Sequence, residues 1–177
     1  MYDLVLQNGL VVDGGRAKPY TANVCIQDGK IAKITTDTVS GTETLDVSGL
    51  AVAPGFIDLH SHSDASPLMD YAVESKIAQG VTTEIVGNCG ISILPATPER
   101  IGEIEKYITS QLELPVYGKK VAQMSVTDYA RAVKEHGAST NYGVLVGHGT
   151  LRLAVMGFVN RAPSEEEMEQ LKALLDR

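Results

Sequence analysis

The densest chemistry in the chain is His60-Ser61-His62. Residues two apart in an extended strand project to the same side, so both imidazoles can reach a single ion. Asp58 shares their parity and would either hydrogen-bond a ligand histidine or fill a polar layer inside a barrel. Further on, Cys89 sits in the Gly-flanked turn Gly87-Asn88-Cys89-Gly90, and His148 in Gly147-His148-Gly149-Thr150. A thiolate combined with imidazoles suits zinc better than magnesium or calcium.

A His-x-His pair is common by chance, so its setting carries the weight. It follows Pro54-Gly55 and a run typical of a buried strand, and it precedes Asp64. Adjacent parallel strands lie about 4.8 Å apart, so a sulfur at the tip of the next strand could join the same ion or bridge it to a neighbour. The competing reading of Cys89 is a small buried apolar residue. His148 either lines a substrate pocket or bonds a loop backbone as a structural histidine. His136, just before Gly137, reads as a helix-terminus residue facing the dipole, and Cys25, mid-strand with no histidine close in sequence, reads as core.

These residues must be positioned by strands. The first fifty residues suggest short strands at Leu4 to Leu6, Leu10 to Val12, Asn23 to Ile26, Ile31 to Ile34 and Glu43 to Asp46, with Asp28-Gly29 as a hairpin turn. After Pro54-Gly55 the rhythm changes. Phe56 to Leu59, Val81 to Val86 and Tyr142 to Val146 are nearly continuous apolar or β-branched runs, expected of strands buried on both faces. Ser125 with Asp128 and Ser164 with Glu167 are helix start signals. Alternating strands and helices imply a parallel sheet, open or closed into a barrel. The expected organisation is therefore a small β domain over residues 1–53 and an α/β domain over 54–177. The candidate ligands and His148 all fall at the carboxyl ends of the presumed parallel strands, where such folds build their sites.

Composition excludes several classes. The chain has 177 residues, 44% apolar, with a formal charge of −7, which disfavours nucleic acid as a partner because no basic run is available to displace counterions. Met1 to Gly15 has neither the charge pattern of a signal peptide nor the length of a membrane span, so a cytoplasmic protein with no membrane partner is expected. Two separated cysteines give neither a disulfide framework nor a Cys-x-x-Cys redox motif. The Gly-x-Ser-x-Gly elbow, the phosphate loop and the dinucleotide fingerprint are all lacking.

The segments Leu4-Val5-Leu6-Gln7-Asn8-Gly9 and Val52-Ala53-Pro54-Gly55-Phe56-Ile57-Asp58-Leu59-His60-Ser61-His62 resemble the opening of amidohydrolases, a superfamily that includes dihydroorotases and hydantoinases. Gly80-Val81-Thr82-Thr83-Glu84-Ile85-Val86-Gly87-Asn88-Cys89-Gly90 and Val146-Gly147-His148-Gly149-Thr150-Leu151-Arg152 narrow the resemblance to the N-acyl-D-amino-acid deacylases (D-aminoacylases). That resemblance implies a distorted (β/α)8 barrel with a small amino-terminal β-sandwich, and zinc held by His60, His62 and Cys89. It also implies two further histidine ligands and a catalytic aspartate lying beyond Arg177. The expected reaction of the parent enzyme is hydrolysis of an N-acyl-D-amino acid to a carboxylate and a free D-amino acid.

The last helix runs to Leu175-Asp176-Arg177 without a capping Gly or Asn, and three clear parallel strands are fewer than a barrel needs. The chain accordingly reads as the opening part of such an enzyme, inactive by itself. Two alternatives stand beside this: an amidohydrolase acting on cyclic amides, and a non-catalytic metal-binding fragment.

Overall fold

The computed structural model describes residues 1–68, 74–112 and 124–176. The chain divides into two compact units, Met1–Pro54 and Gly55–Arg177.

The first unit is a single five-stranded sheet. Its strands are β1 (Tyr2–Val11), β2 (Tyr20–Gln27), β3 (Lys30–Thr35), β4 (Gly41–Asp46) and β5 (Ala51–Val52). β1 pairs antiparallel with β2 and parallel with both β4 and β5, while β3 closes a hairpin on β2. The hairpin turn has positive φ at both Asp28 (52°) and Gly29 (69°), as a two-residue turn matched to the strand twist requires.

The expected strands Leu4 to Leu6 and Leu10 to Val12 are one long strand, with a bulge at Asn8-Gly9 between them. The register with β2 shifts between Leu6 and Gly9, Asn8 adopts φ 63°, and its side chain donates to Asp46 Oδ1 at 3.1 Å. Val11, Ala22 and Val24 form a small core with Leu6 and Val52. Cys25 is fully buried, and Ile31, Ile34 and Leu45 are exposed.

The second unit holds a three-stranded parallel sheet in the order β6 (Phe56–Asp58), β7 (Val81–Val86), β8 (Asn141–Val144). Its helices are α1 (Glu74–Ile77), α2 (Ile101–Leu112), α3 (Val126–His136), α4 (His148–Met156) and α5 (Glu165–Leu175). Both predicted start signals form complete capping boxes, with Ser125 and Ser164 accepting from the backbone N–H groups of Asp128 and Glu167. Each satisfies amides that the first helical turn leaves without partners. His136 closes α3, and Gly137 follows in the left-handed region at φ 87°.

The core of this unit joins Ile91, Ile93 and Leu94, from the segment after β7, to Ile104 and Ile108 of α2, Tyr129 of α3 and Leu153 of α4. Leu151 and Met156 of α4 pack with Leu171 of α5. The last helix ends at Leu175, where the Asp176 N–H donates to the Lys172 carbonyl at 3.0 Å; Arg177 lies outside the described residues. Among the described residues no helix is long and apolar enough to cross a membrane.

Candidate metal centre

β6 ends at Asp58, two residues earlier than a ligand-bearing strand would need. His60 and His62 therefore stand just past the sheet, in a segment with no ladder of its own. Side chains and a few backbone bonds hold it. The Ser61 N–H donates to the Ile85 carbonyl at 3.1 Å, and the Asn88 amide donates to the carbonyls of Ser61 (3.2 Å) and Ile85 (2.8 Å). Asn88 thus ties the midpoint of the histidine pair to the tip of β7, next to Cys89.

Cys89 occupies a left-handed conformation at φ 56°, between Gly87 (φ 82°) and Gly90 (φ 76°). For a side chain with a Cβ, that region costs roughly 1–2 kcal/mol. Strain of this kind persists where the surroundings over-determine it, often at functional sites. The surroundings here are close. A Cβ on Gly87 would lie 1.9 Å from the Leu145 carbonyl oxygen, and one on Gly147 would lie 2.7 Å from the carbonyl of Gly90. The Thr150 N–H donates to the Gly90 carbonyl at 3.1 Å. Thr150 Oγ1 accepts from the Ser92 N–H and donates to the Ser92 carbonyl, both at 2.9 Å, and Ser92 Oγ accepts from the Gly147 N–H at 2.9 Å. The start of α4 is thereby fastened to the strand-tip turn that carries the thiol.

Three donor atoms converge as a result. One from each of His60, His62 and Cys89 lie within 4.8 Å of one another. His60 Nε2 is 3.0 Å from Cys89 Sγ, and the two imidazole rings meet edge to face with centroids 5.5 Å apart. Given zinc–nitrogen and zinc–sulfur bonds of about 2.0–2.3 Å, donors on a tetrahedral ion sit roughly 3.5 Å apart. The His60–Cys89 separation is close to that value, and no pair of the three donors is more than 4.8 Å apart. His62 Nδ1 is buried and lacks a hydrogen-bond partner among the described residues.

Asp58 does not bond a histidine ring. Its Oδ1 accepts from the His60 backbone N–H at 3.1 Å, and its Oδ2 pairs with Lys76. The Lys76 bond, followed by the His60 amide, holds this carboxyl below its ordinary range. Asp64 differs. It is 1% exposed, and neither oxygen has a well-formed hydrogen bond among the described residues. Burial pushes its carboxyl up to about 6, only partly offset by the nearby amides of Asp64, Gly87 and Ile93.

His148 is the first residue of α4 and is solvent-exposed. It does not belong to the cluster of three donors. Glu84 gave no signal in the sequence. It sits mid-strand in β7, is 1% exposed, and pairs in register with Asp58 on one side and Tyr142 on the other. Burial alone would raise its carboxyl. Hydrogen bonds from Ser63, Ser61 and Thr140, with the charge of Lys76, outweigh burial and hold it low.

Residues 43–149 match the family model described as the amidohydrolase family. Over 180 residues the chain is 37% identical to the D-aminoacylase of Alcaligenes xylosoxydans xylosoxydans, covering 99% of this chain and 35% of that protein. It also superposes on the crystal structure of N-acyl-D-glutamate deacylase from Bordetella bronchiseptica, complexed with zinc and a phosphonate inhibitor. That match has a TM-score of 0.83 at 33% identity and covers 98% of this chain and 35% of that one. A D-aminoacylase structure concerned with the role of its binuclear metal centre matches with a TM-score of 0.82 at 32% identity, covering 99% of this chain and 36% of that one. The chain spans about a third of the length of the curated relatives it matches.

Proposed function

The chain belongs to the amidohydrolase family, and on that premise we propose that His60, His62 and Cys89 hold a zinc ion with which the whole protein hydrolyses N-acyl-D-amino acids. The products are a carboxylate and a free D-amino acid. The observation that carries this reading is the convergence of two imidazoles and a thiol within 4.8 Å, at the carboxyl end of a parallel sheet where α/β folds build their sites. Similarity to the D-aminoacylase and to the N-acyl-D-aspartate deacylase of the same organism supports the choice of substrate class.

The donor set fits the ion. Nitrogen and sulfur ligands favour zinc over hard cations, and His62 Nδ1, buried without a hydrogen-bond partner among the described residues, supports the same reading. When bound, zinc supplies Lewis acidity towards the amide carbonyl and towards water. The chain contributes placement: Asn88 sets the spacing between the histidine pair and the thiol, and the α4 contacts keep the Cys89 turn in its left-handed conformation. His148, exposed on the helix abutting that turn, is read as a substrate-side residue.

The three parallel strands and their helices are read as the first part of a (β/α)8 barrel. The amino-terminal sheet, with Ile31, Ile34 and Leu45 exposed, is read as one layer of a β-sandwich. Both cysteines are free thiols, in keeping with the reducing conditions of the cytoplasm.

The test is metal removal. The whole protein, stripped by chelator, should lose deacylation of N-acetyl-D-methionine and regain it with zinc, and Cys89→Ala should bind zinc more weakly. Full turnover in excess chelator, or unchanged zinc affinity in both His60→Ala and Cys89→Ala, would sink the proposal.

A further inference from the structure

The histidine pair lies beyond the end of β6, yet the serines interleaved with it are anchored. Ser61 Oγ donates to Glu84 Oε2 at 2.8 Å and Ser63 Oγ donates to the same oxygen at 2.5 Å. Ser61 is 5% exposed and Glu84 1%. The other oxygen, Oε1, accepts from Thr140 Oγ1 at 2.9 Å, immediately before β8. Lys76 Nζ stands 3.7 Å from Oε2 and is paired with Asp58, so positive charge lies beside the buried carboxylate.

We propose that Glu84 is a positioning residue for the metal centre: by gripping the hydroxyls on either side of His62, it fixes the direction in which His60 and His62 present their nitrogens. The assignment rests on the metal reading above. Two observations favour this role over simple filling of the interior. The first is economy of anchorage: both serine hydroxyls, themselves 2.8 Å apart, donate to one carboxylate oxygen, so its loss removes the side-chain anchor on both flanks of His62 together. The second is cost. A buried carboxylate is expensive to keep unless several donors meet it, and here hydroxyls from two separate segments do so. An apolar residue in β7 would fill the same space without the burial penalty, but it would leave the serines unanchored. Groups that orient metal ligands from behind typically contribute about 10- to 100-fold in metal affinity.

The experiment is a titration of the metal-free protein with Co²⁺ alone, following ligand-field absorption and the sulfur-to-cobalt charge-transfer band, with far-UV circular dichroism as a check on folding. Four variants, Glu84→Gln, Ser63→Ala, Ser63→Thr and Cys89→Ala, are compared with the unsubstituted protein. Glu84→Gln is expected to weaken binding about 10- to 100-fold and to alter the ligand-field bands of the bound ion, which a purely structural defect would not do. Ser63→Ala, which leaves the buried carboxylate in place, should move both readouts in the same direction by less, and Ser63→Thr should restore them. A folded Ser63→Ala protein that binds Co²⁺ within about twofold of the original and with the same bands overturns the proposal, whatever Glu84→Gln does. Failure of the metal reading is distinct. In that case the unsubstituted protein gives no charge-transfer band, or Cys89→Ala keeps it.

Discussion

Thr150→Val isolates the fastening between α4 and the Cys89 turn. Valine has nearly the shape of threonine, so the substitution removes polarity and little else. Thr150 and Ser92 are both fully buried, and the threonine hydroxyl serves the N–H and the carbonyl of Ser92 at 2.9 Å each. Stranding a buried donor or acceptor costs about 1–3 kcal/mol, so two such groups give a loss of about 2–6 kcal/mol, against total domain stabilities of roughly 5–15 kcal/mol. Thr150→Ser keeps both bonds and sheds one methyl, for about 1 kcal/mol. Urea unfolding followed by helical far-UV ellipticity is the assay, because every described helix lies in Gly55–Arg177. The signal therefore reports the unit that contains the fastening. If valine costs no more than serine, the hydroxyl is not holding Ser92 and the account of the turn is wrong.

Two further outcomes follow from the geometry. Gly87→Ala should destabilise the second unit by more than about 2 kcal/mol, because the left-handed backbone at φ 82° alone disfavours a Cβ and that atom would meet the Leu145 carbonyl oxygen at 1.9 Å; an unchanged melting temperature would contradict it. Hydrogen bonds from Arg161, with the Ser164 N–H, hold the Glu167 carboxyl at about 2, below its ordinary 4.5. A depressed carboxyl stabilises the fold above the ordinary value, and that contribution is lost as pH falls from 4.5 towards 2. Ellipticity from α5 should decline in that window and Glu167→Gln should abolish the component, more visibly at low salt.

Part of the candidate site was legible because side-chain alternation in extended backbone is a local property, and here it carries on past the end of β6 at Asp58. His60 and His62 share a side, and Cys89 belongs to the tip of the adjacent strand. The capping boxes at Ser125 and Ser164 were legible for the same reason, since each is set by four consecutive residues. What stayed hidden depends on distant partners. Asn8-Gly9 looks like a turn, but β1 is paired on both edges and absorbs it as a bulge. Gly147-His148-Gly149 looks like a loop, yet α4 starts there because glycine alone fits against Gly90. Glu84 sits in a run that otherwise reads as apolar or β-branched, and its partners come from the segments after β6 and before β8. No window along the chain contains them together.

The period-two division of His60-Ser61-His62-Ser63, imidazoles towards Cys89 and hydroxyls towards Glu84, makes this stretch far more sensitive to length than to composition. One inserted or deleted residue would exchange the two sets and aim hydroxyls at the thiol and imidazoles at the buried acid, losing both sets of contacts in a single step. An insertion of two would keep the phase and merely displace it. Drift in this neighbourhood should therefore proceed by replacement, with indels confined to the stretches outside it.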